Sequence, residues 1–309
     1  MLRRNNEIQE RQGHKGNSQI GLSNLAQALR DAGALREAAG ALRQALVLNR
    51  ELESAFQEGV SLKECGRVLS ATGGRESNRL MLRRSLHIDA QRGDQQGQDV
   101  ACAYLAERWL WLGDFTKALA YANRAWELSA NKKAERDFVR AALFQGRAAL
   151  GLSDLNVADE RLHHALTRAR AVNMVEFELP ALIAIADLAR QRNDLAGAKA
   201  SLDEVWDAAE RGPYPLYLAD AYNLAADIAW VESDKRTAIE AATKAYRAAW
   251  CDGPPWAYHW GLEKAKAFLR EFGAPEPEMP PFDESKIEPM PEVEINPKDE
   301  YWIDPATLD

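Results

Sequence analysis

Small residues return in this chain every 40 positions, and that spacing limits the fold more than any other feature. Stepping by 40 from Ala26 meets Gly66, Ala106, Gly146, Ala186 and Ala226, so six positions in register all hold Ala or Gly. The same step from Ala38 meets Asn78, Ala118, Ala158, Ala198 and Ala238, and from Ala45 it meets Ser85, Ala125, Ala165, Val205 and Ala245. Only Asn78 and Val205 break the small-residue rule. Large apolar columns lie between: Leu46, Leu86, Trp126, Leu166, Trp206 and Tyr246 form one, and Leu42, Leu82, Ala122, Leu162, Leu202 and Ala242 another. Small residues at fixed places on amphipathic stretches let two helices approach closely, so the chain reads as an array of helix pairs.

The stretch from Ala101 to Ala130 shows one unit whole, as helix, short turn and helix. Its turn belongs to a column of Gly33, Gly73, Gly113, Ser153, Asn193 and Ser233, followed by Asp114, Asp154, Asp194 and Asp234 in four of the six units. Gly or Asn ends one helix, and Asp or Ser caps the next.

With small positions separated by 12 and then 7 residues, as in Ala106, Ala118 and Ala125, the chain resembles the tetratricopeptide repeat family over about residues 17 to 272. The usual period of that family is about 34. The extra length falls between the third small position and the next unit, which predicts a longer second helix or exit loop. HEAT and armadillo repeats share this period, but only Pro180 matches their first-helix proline. The resemblance implies an all-α solenoid of antiparallel helix pairs, about six repeats, with a capping helix predicted over 256–272. Each unit is then expected to bury its apolar stripe only against its neighbours, giving an elongated object without a central core.

Residues 1–16 read as the remnant or cap of a preceding repeat, because Glu7 to Gln12 match the last turns of a second helix. The favoured expectation is a fragment of a longer array, the other an irregular cap. Residues 273–309 form a proline-rich tail with eleven acidic residues against Lys286 and Lys298, while the net charge of the whole is −8. The body is therefore close to neutral, which disfavours nucleic-acid binding through phosphate neutralisation. The tail also carries Phe282, Ile287, Met290, Val293, Tyr301 and Trp302, and its acidic segment is expected to dock in the basic groove as a removable plug.

Neither a secretory leader nor a membrane span is read in the chain, and three unpaired cysteines, Cys65, Cys102 and Cys251, suit a reducing cytoplasm. Cys65 and Cys102 fall in apolar columns and are expected to be buried thiols. No phosphate loop, dinucleotide fingerprint, zinc-protease or nucleophile-elbow motif occurs. Glu160 and His164 stand one helical turn apart with no third ligand. The chain is accordingly read as no enzyme, with no catalytic residue, cofactor or metal, and its function as binding.

In the tetratricopeptide fold the first helices line a concave groove. Carried over by the 40-residue step, that resemblance implies a ligand site of Lys63, Arg67, Trp111, Arg140, Arg147, Asp187, Arg190, Asp227 and Trp230, with Asp220 beside them. The basic members would hold acidic peptide groups, and Trp111 and Trp230 would anchor a partner. The competing reading pairs Arg67 with Glu107, and Arg147 with Glu107 or Asp187, as internal structure. Trp126 and Trp206 are expected between helices, and Arg75, Arg79 and Arg83 on one solvated face.

The stretch Trp256 to Leu262, running on to Pro280, Pro281, Phe282 and Asp283, resembles the end of bacterial repeat regions attached to signalling ATPases of the STAND class. That likeness implies a sensor or scaffold for a protein or peptide, with an ATPase module in the same parent protein. The alternative is a free-standing adaptor, or the repeat domain of a transcription regulator, that binds a peptide or small molecule.

Overall fold

A computed structural model describes residues 15–130, 134–209 and 211–282, and within them every regular element is a helix. Six helix pairs follow one another. They are α1 (Lys15–Asp31) with α2 (Leu35–Glu51), α3 (Ala55–Ala71) with α4 (Glu76–Gln91), and α5 (Gln95–Trp111) with α6 (Phe115–Ala130). After these come α7 (Glu135–Gly151) with α8 (Leu155–Ala171), α9 (Val175–Gln191) with α10 (Leu195–Ala209), and α11 (Pro215–Val231) with α12 (Lys235–Trp250). A last helix, α13 (His259–Phe272), starts three residues later than expected because the backbone from Cys251 to Tyr258 is irregular. Each helix packs on its partner and on the next pair, so the fold is an all-α solenoid-like repeat.

The 40-residue period is now accounted for. Every first helix has 17 residues and every second helix 15 to 17, mostly joined by three-residue turns. The extra length therefore lies in the helices of both kinds and not in exit loops.

The small columns sit at the points of closest approach. Ala26, Ala106, Ala186, Ala118 and Ala125 are fully buried. A Cβ on Gly66 would stand 2.7 Å from Leu82 Cγ, and one on Gly146 would stand 2.7 Å from Leu162 Cγ. In those two pairs the large column presses directly on the small one. The turns follow the predicted chemistry: Asp94, Asp114, Asp154, Asp194 and Asp234 each accept a backbone N–H three residues on. Glu53, Ser153, Asn173, Asn193 and Ser233 occupy the left-handed region where Gly33, Gly93 and Gly113 sit elsewhere.

The expectation of neighbour-only contacts does not hold. The array curls until its first repeat meets its last. Arg36 N donates to Asp252 Oδ2 at 3.2 Å, and the Trp260 indole donates to Ser70 O at 2.8 Å. A Cβ on Gly33 would stand 2.5 Å from Pro215 Cγ, and Leu35 joins Leu216, Ala219 and Tyr258 in one buried cluster. A glycine at the tip of the first turn makes the approach possible, and the aromatic segment before α13 reaches across to fill it.

Residues 274–280 run along α12 on the outside of the array. Glu276 accepts from the Tyr246 hydroxyl at 3.0 Å, Pro280 O accepts from the Trp250 indole at 3.0 Å, and Met279 packs against the terminal cluster. This short stretch covers the last repeat. The acidic tail beyond Phe282 and the repeat remnant before Lys15 lie outside the described residues, and the plug expectation falls there. Arg83 departs from its predicted solvated face and is buried, while Arg79 pairs with Glu76.

Left-handed backbone strains a residue with a Cβ, so Ser233→Gly (φ 64) should raise the unfolding free energy by about 0.5–1 kcal/mol. Gly146→Val should lower it by about 1–3 kcal/mol through overpacking against Leu162. Urea denaturation of the two variants checks both.

Candidate functional site

Arg67, Glu107, Arg147, Asp187 and Asp227 lie at 40-residue steps on successive first helices, and most of their charge is spent between them. Arg67 Nε donates to Glu107 Oε2 at 2.6 Å and its Nη2 to Oε1 at 3.1 Å, a two-pronged bridge from α3 to α5. The same guanidinium lies 4.4 Å from the centre of the Tyr104 ring. Burial acts to raise the Glu107 carboxyl, and Arg67 overcomes it, holding the group below the usual glutamate range. Further along, Arg190 spans Asp187 at 2.7 Å and Asp227 at 3.2 Å, linking α9 to α11.

Two other predicted cations are structural. Lys63 is buried with its ammonium 2.7 Å from Asp89 Oδ2 and 3.2 Å from Gly97 O, tying α3, α4 and α5 together. Burial drives the Asp89 carboxyl up, and Lys63 pulls against it. Arg140 is buried on Asp137 at 2.5 Å, with Asp99 at 3.9 Å. Trp230 stacks on Phe272 of the cap with ring centres 4.3 Å apart, so it anchors α13 to the array. Trp126 meets Phe138 edge-on, and Trp206 stacks on Tyr222, each between a second helix and the next first helix.

Arg147 is different. Its flanking acids, Glu107 and Asp187, are engaged elsewhere, and among the described residues no carboxylate comes within ion-pair distance of it. It feels Glu107 and Asp220 only at longer range.

The concave side is a narrow channel, divided in two. Toward the N-terminal ends of α5, α7 and α9 a space of about 200 Å³ is walled by Arg30, Arg67, Tyr104, Arg136 and Arg140. Those arginines face Asp31, Glu107, Glu176 and Asp137, so this end is crowded but electrically balanced. Toward the C-terminal ends of the same helices lies a wider mouth of about 550 Å³, walled by Trp111, Arg147, Ile183, Asp220, Tyr258 and Lys264 among others. A chamber of about 50 Å³ joins the two, with Arg30, Asp31, Glu107 and Tyr217 on one side and Trp111, Arg147 and Tyr258 on the other. The waist is thus narrowed by side chains, and the mouth is the wider of the two spaces.

Tyr258 donates to both oxygens of Asp220, at 3.1 and 3.0 Å. Burial pushes the Asp220 carboxyl up, against the pull of Arg147 and of the Tyr258 hydroxyl. Trp111 stacks near Trp260 at 6.4 Å between ring centres and meets Tyr258 edge-on at 6.2 Å. Among the described residues the mouth therefore offers one unbridged guanidinium, the Lys264 ammonium and an aromatic wall, beside Asp187 held by Arg190 and Asp220 held by the Tyr258 hydroxyl. That set suits an acidic group attached to an apolar or planar body.

Sequence reasoning missed Tyr104, Tyr217, Tyr258, Trp260 and Lys264 as channel residues. A further 40-step column, Val100, Arg140, Pro180 and Asp220, also faces the channel and was legible. Tyr258 and Trp260 carry no such signal because their segment belongs to no repeat. Among the described residues no three His, Cys, Asp or Glu side chains are placed to share a metal ion. Cys65 and Cys102 are buried, and burial pushes both thiols up to about 12. No helix among the described residues is long and apolar enough to cross a membrane.

No family model matches the chain, and no curated protein matches it in sequence. The structure is a helical repeat array with neighbouring pairs packed, consistent with a tetratricopeptide-like fold.

Removing one partner of a buried pair strands the other, so Lys63→Ala should cost about 3–5 kcal/mol in urea denaturation. Glu107 contributes stability that is fully present above the ordinary glutamate range and is lost as pH falls through its lowered folded value. Glu107→Gln should therefore flatten the acid side of the stability profile, measured by melting at a series of pH values.

Proposed function

We propose that this chain is a ligand-recognition repeat domain, the sensor or scaffold region of a STAND-type signalling protein, which takes an acidic group of a protein or peptide at the mouth of its channel. The observation that carries the reading is Arg147. Among the described residues it is the guanidinium of the predicted groove set that keeps no ion pair of its own, and it stands where the mouth of about 550 Å³ narrows to the waist. A charge-assisted hydrogen bond from an acidic ligand would give this half-buried guanidinium the counterion that the described residues do not supply.

The remaining features support the same assignment. The aromatic wall of Trp111, Tyr258 and Trp260 gives apolar contact area next to the charge. Exposed Leu112 and Leu152 lie at the C-terminal ends of α5 and α7, beside that mouth, and extend the apolar surface outward. The likeness of residues 256–262 to the ends of sensor arrays favours a sensing role over a purely structural one.

A displayed library of peptides, random at internal and C-terminal positions, would be selected on the full chain and the best binder measured by calorimetry. The expected binder carries a carboxylate next to an apolar residue. Arg147→Glu should weaken it at least tenfold with no loss of helicity, while Arg75→Glu on the exposed turn before α4 should leave it unchanged. Equal binding by both variants would move the site away from the mouth.

A further inference from the structure

The mouth is not built by the concave helices alone. Trp111 and Arg147 come from the middle of the array, on α5 and α7, whereas Tyr258, Trp260 and Lys264 come from its C-terminal cap. The cap segment, 251–260, is also what fastens the last repeat to the first two. Trp260 holds Ser70 O on α3, Asp252 holds Arg36 N on α2, and Pro215 rests on Gly33 with Cys251 beside it. One stretch of chain therefore closes the ring and completes the recess.

These fastenings are few. Between neighbouring helices the packing runs along whole buried faces. Between the last repeat with its cap and the first two repeats the described contacts are two hydrogen bonds, Pro215 against Gly33, His259 and Trp260 against the Gly73–Gly74 turn, Trp256 on the core of the first repeats, and the place of Leu35 and Ala71 in the terminal apolar cluster. Local opening of a structure takes place where buried contact is least, so the join between first and last repeats is the weakest seam of the array. When it opens, Tyr258, Trp260 and Lys264 leave Trp111 and Arg147, and the recess loses a wall. A ligand bound between the two walls favours the closed form by its differential affinity for that form, and closure favours the ligand by the same factor.

We propose that the array is a clasped ring in which segment 251–260 both latches the last repeat to the first two and forms the far wall of the ligand mouth, so that ligand occupancy and ring closure stabilise one another. The inference rests on the mouth being the binding site. It supplies the regulation that a sensor needs: an event at the recess changes how firmly the two ends of the array are held.

The clasp can be weakened at positions that line neither the mouth nor the chamber. Gly33→Val puts a Cβ 2.5 Å from Pro215 Cγ and 3.3 Å from Cys251 Sγ. Asp252→Ala removes the acceptor of Arg36 N and is the milder change. Both are compared with the unaltered full chain by small-angle scattering and by hydrogen exchange of residues 256–262. Affinity for 2-naphthoate, a planar aromatic acid used as the probe, is measured by calorimetry. The expected result is a larger radius of gyration, faster exchange at 256–262 and at least fivefold weaker naphthoate binding in the variants, with saturating naphthoate slowing that exchange in the unaltered chain. If Asp252→Ala and a folded Gly33→Val keep the original dimensions and exchange, there is no clasp and the proposal falls. Looser ends with unchanged naphthoate affinity would overturn the coupling while leaving the mouth intact as a site. Naphthoate binding indifferent to Arg147→Glu would sink the reading of the mouth itself, and the coupling with it.

Discussion

The architecture depends on how closely two helices can lie at a small residue. Where Gly66 or Gly146 faces a leucine, no side chain separates the backbones, and where alanine stands in the same column it is wholly buried. Repeating that approach six times along one edge of the array gives a regular turn from pair to pair, and with helices of 15 to 17 residues the turn accumulates until Gly33 meets Pro215. A solenoid of this kind is normally stabilised only between neighbours. Here the curvature brings the ends together and adds contacts separated by about two hundred residues of sequence.

Closing the ring narrows the concave side, and that decides its electrostatics. Charges on an open groove would be hydrated and free to meet a partner. In a narrow channel they lose water, and each buried ion then needs a counterion. Lys63 with Asp89, Arg67 with Glu107, Arg140 with Asp137 and Arg190 with Asp187 and Asp227 satisfy that requirement. These pairs cross from helix to helix or brace one turn, so they fix the spacing of the repeats more than they advertise a site. Arg147 falls between two such pairs with both neighbouring acids already engaged, and the recess beside it is the place proposed for recognition.

Much of the fold was legible because it is periodic. The small columns, the turn residues and the capping aspartates each recur, so a single register places all of them. The candidate site was legible only in part. The 40-residue step put Arg67, Glu107, Arg147 and Asp187 on one face, but periodicity says nothing about which charges pair, and only the pairing separates Arg147 from Arg67. It also gives no warning that the ends meet, because the residues that join them, Gly33, Pro215, Asp252 and Trp260, belong to turns and to a segment outside the repeats. Trp230 shows the same limit: its column faces the groove in earlier repeats, but in the last one the cap helix covers it through Phe272.

The central claim is that the concave charges serve the fold and that Arg147 is the exception. Chemical denaturation of Arg67→Met and Arg147→Met, side by side at neutral pH, tests it most directly. The account predicts that Arg67→Met, which strands the buried Glu107 carboxylate, loses about 3–5 kcal/mol, whereas Arg147→Met changes stability by less than about 1 kcal/mol. Equal losses for the two would contradict it, since Arg147 would then be a structural charge like the rest.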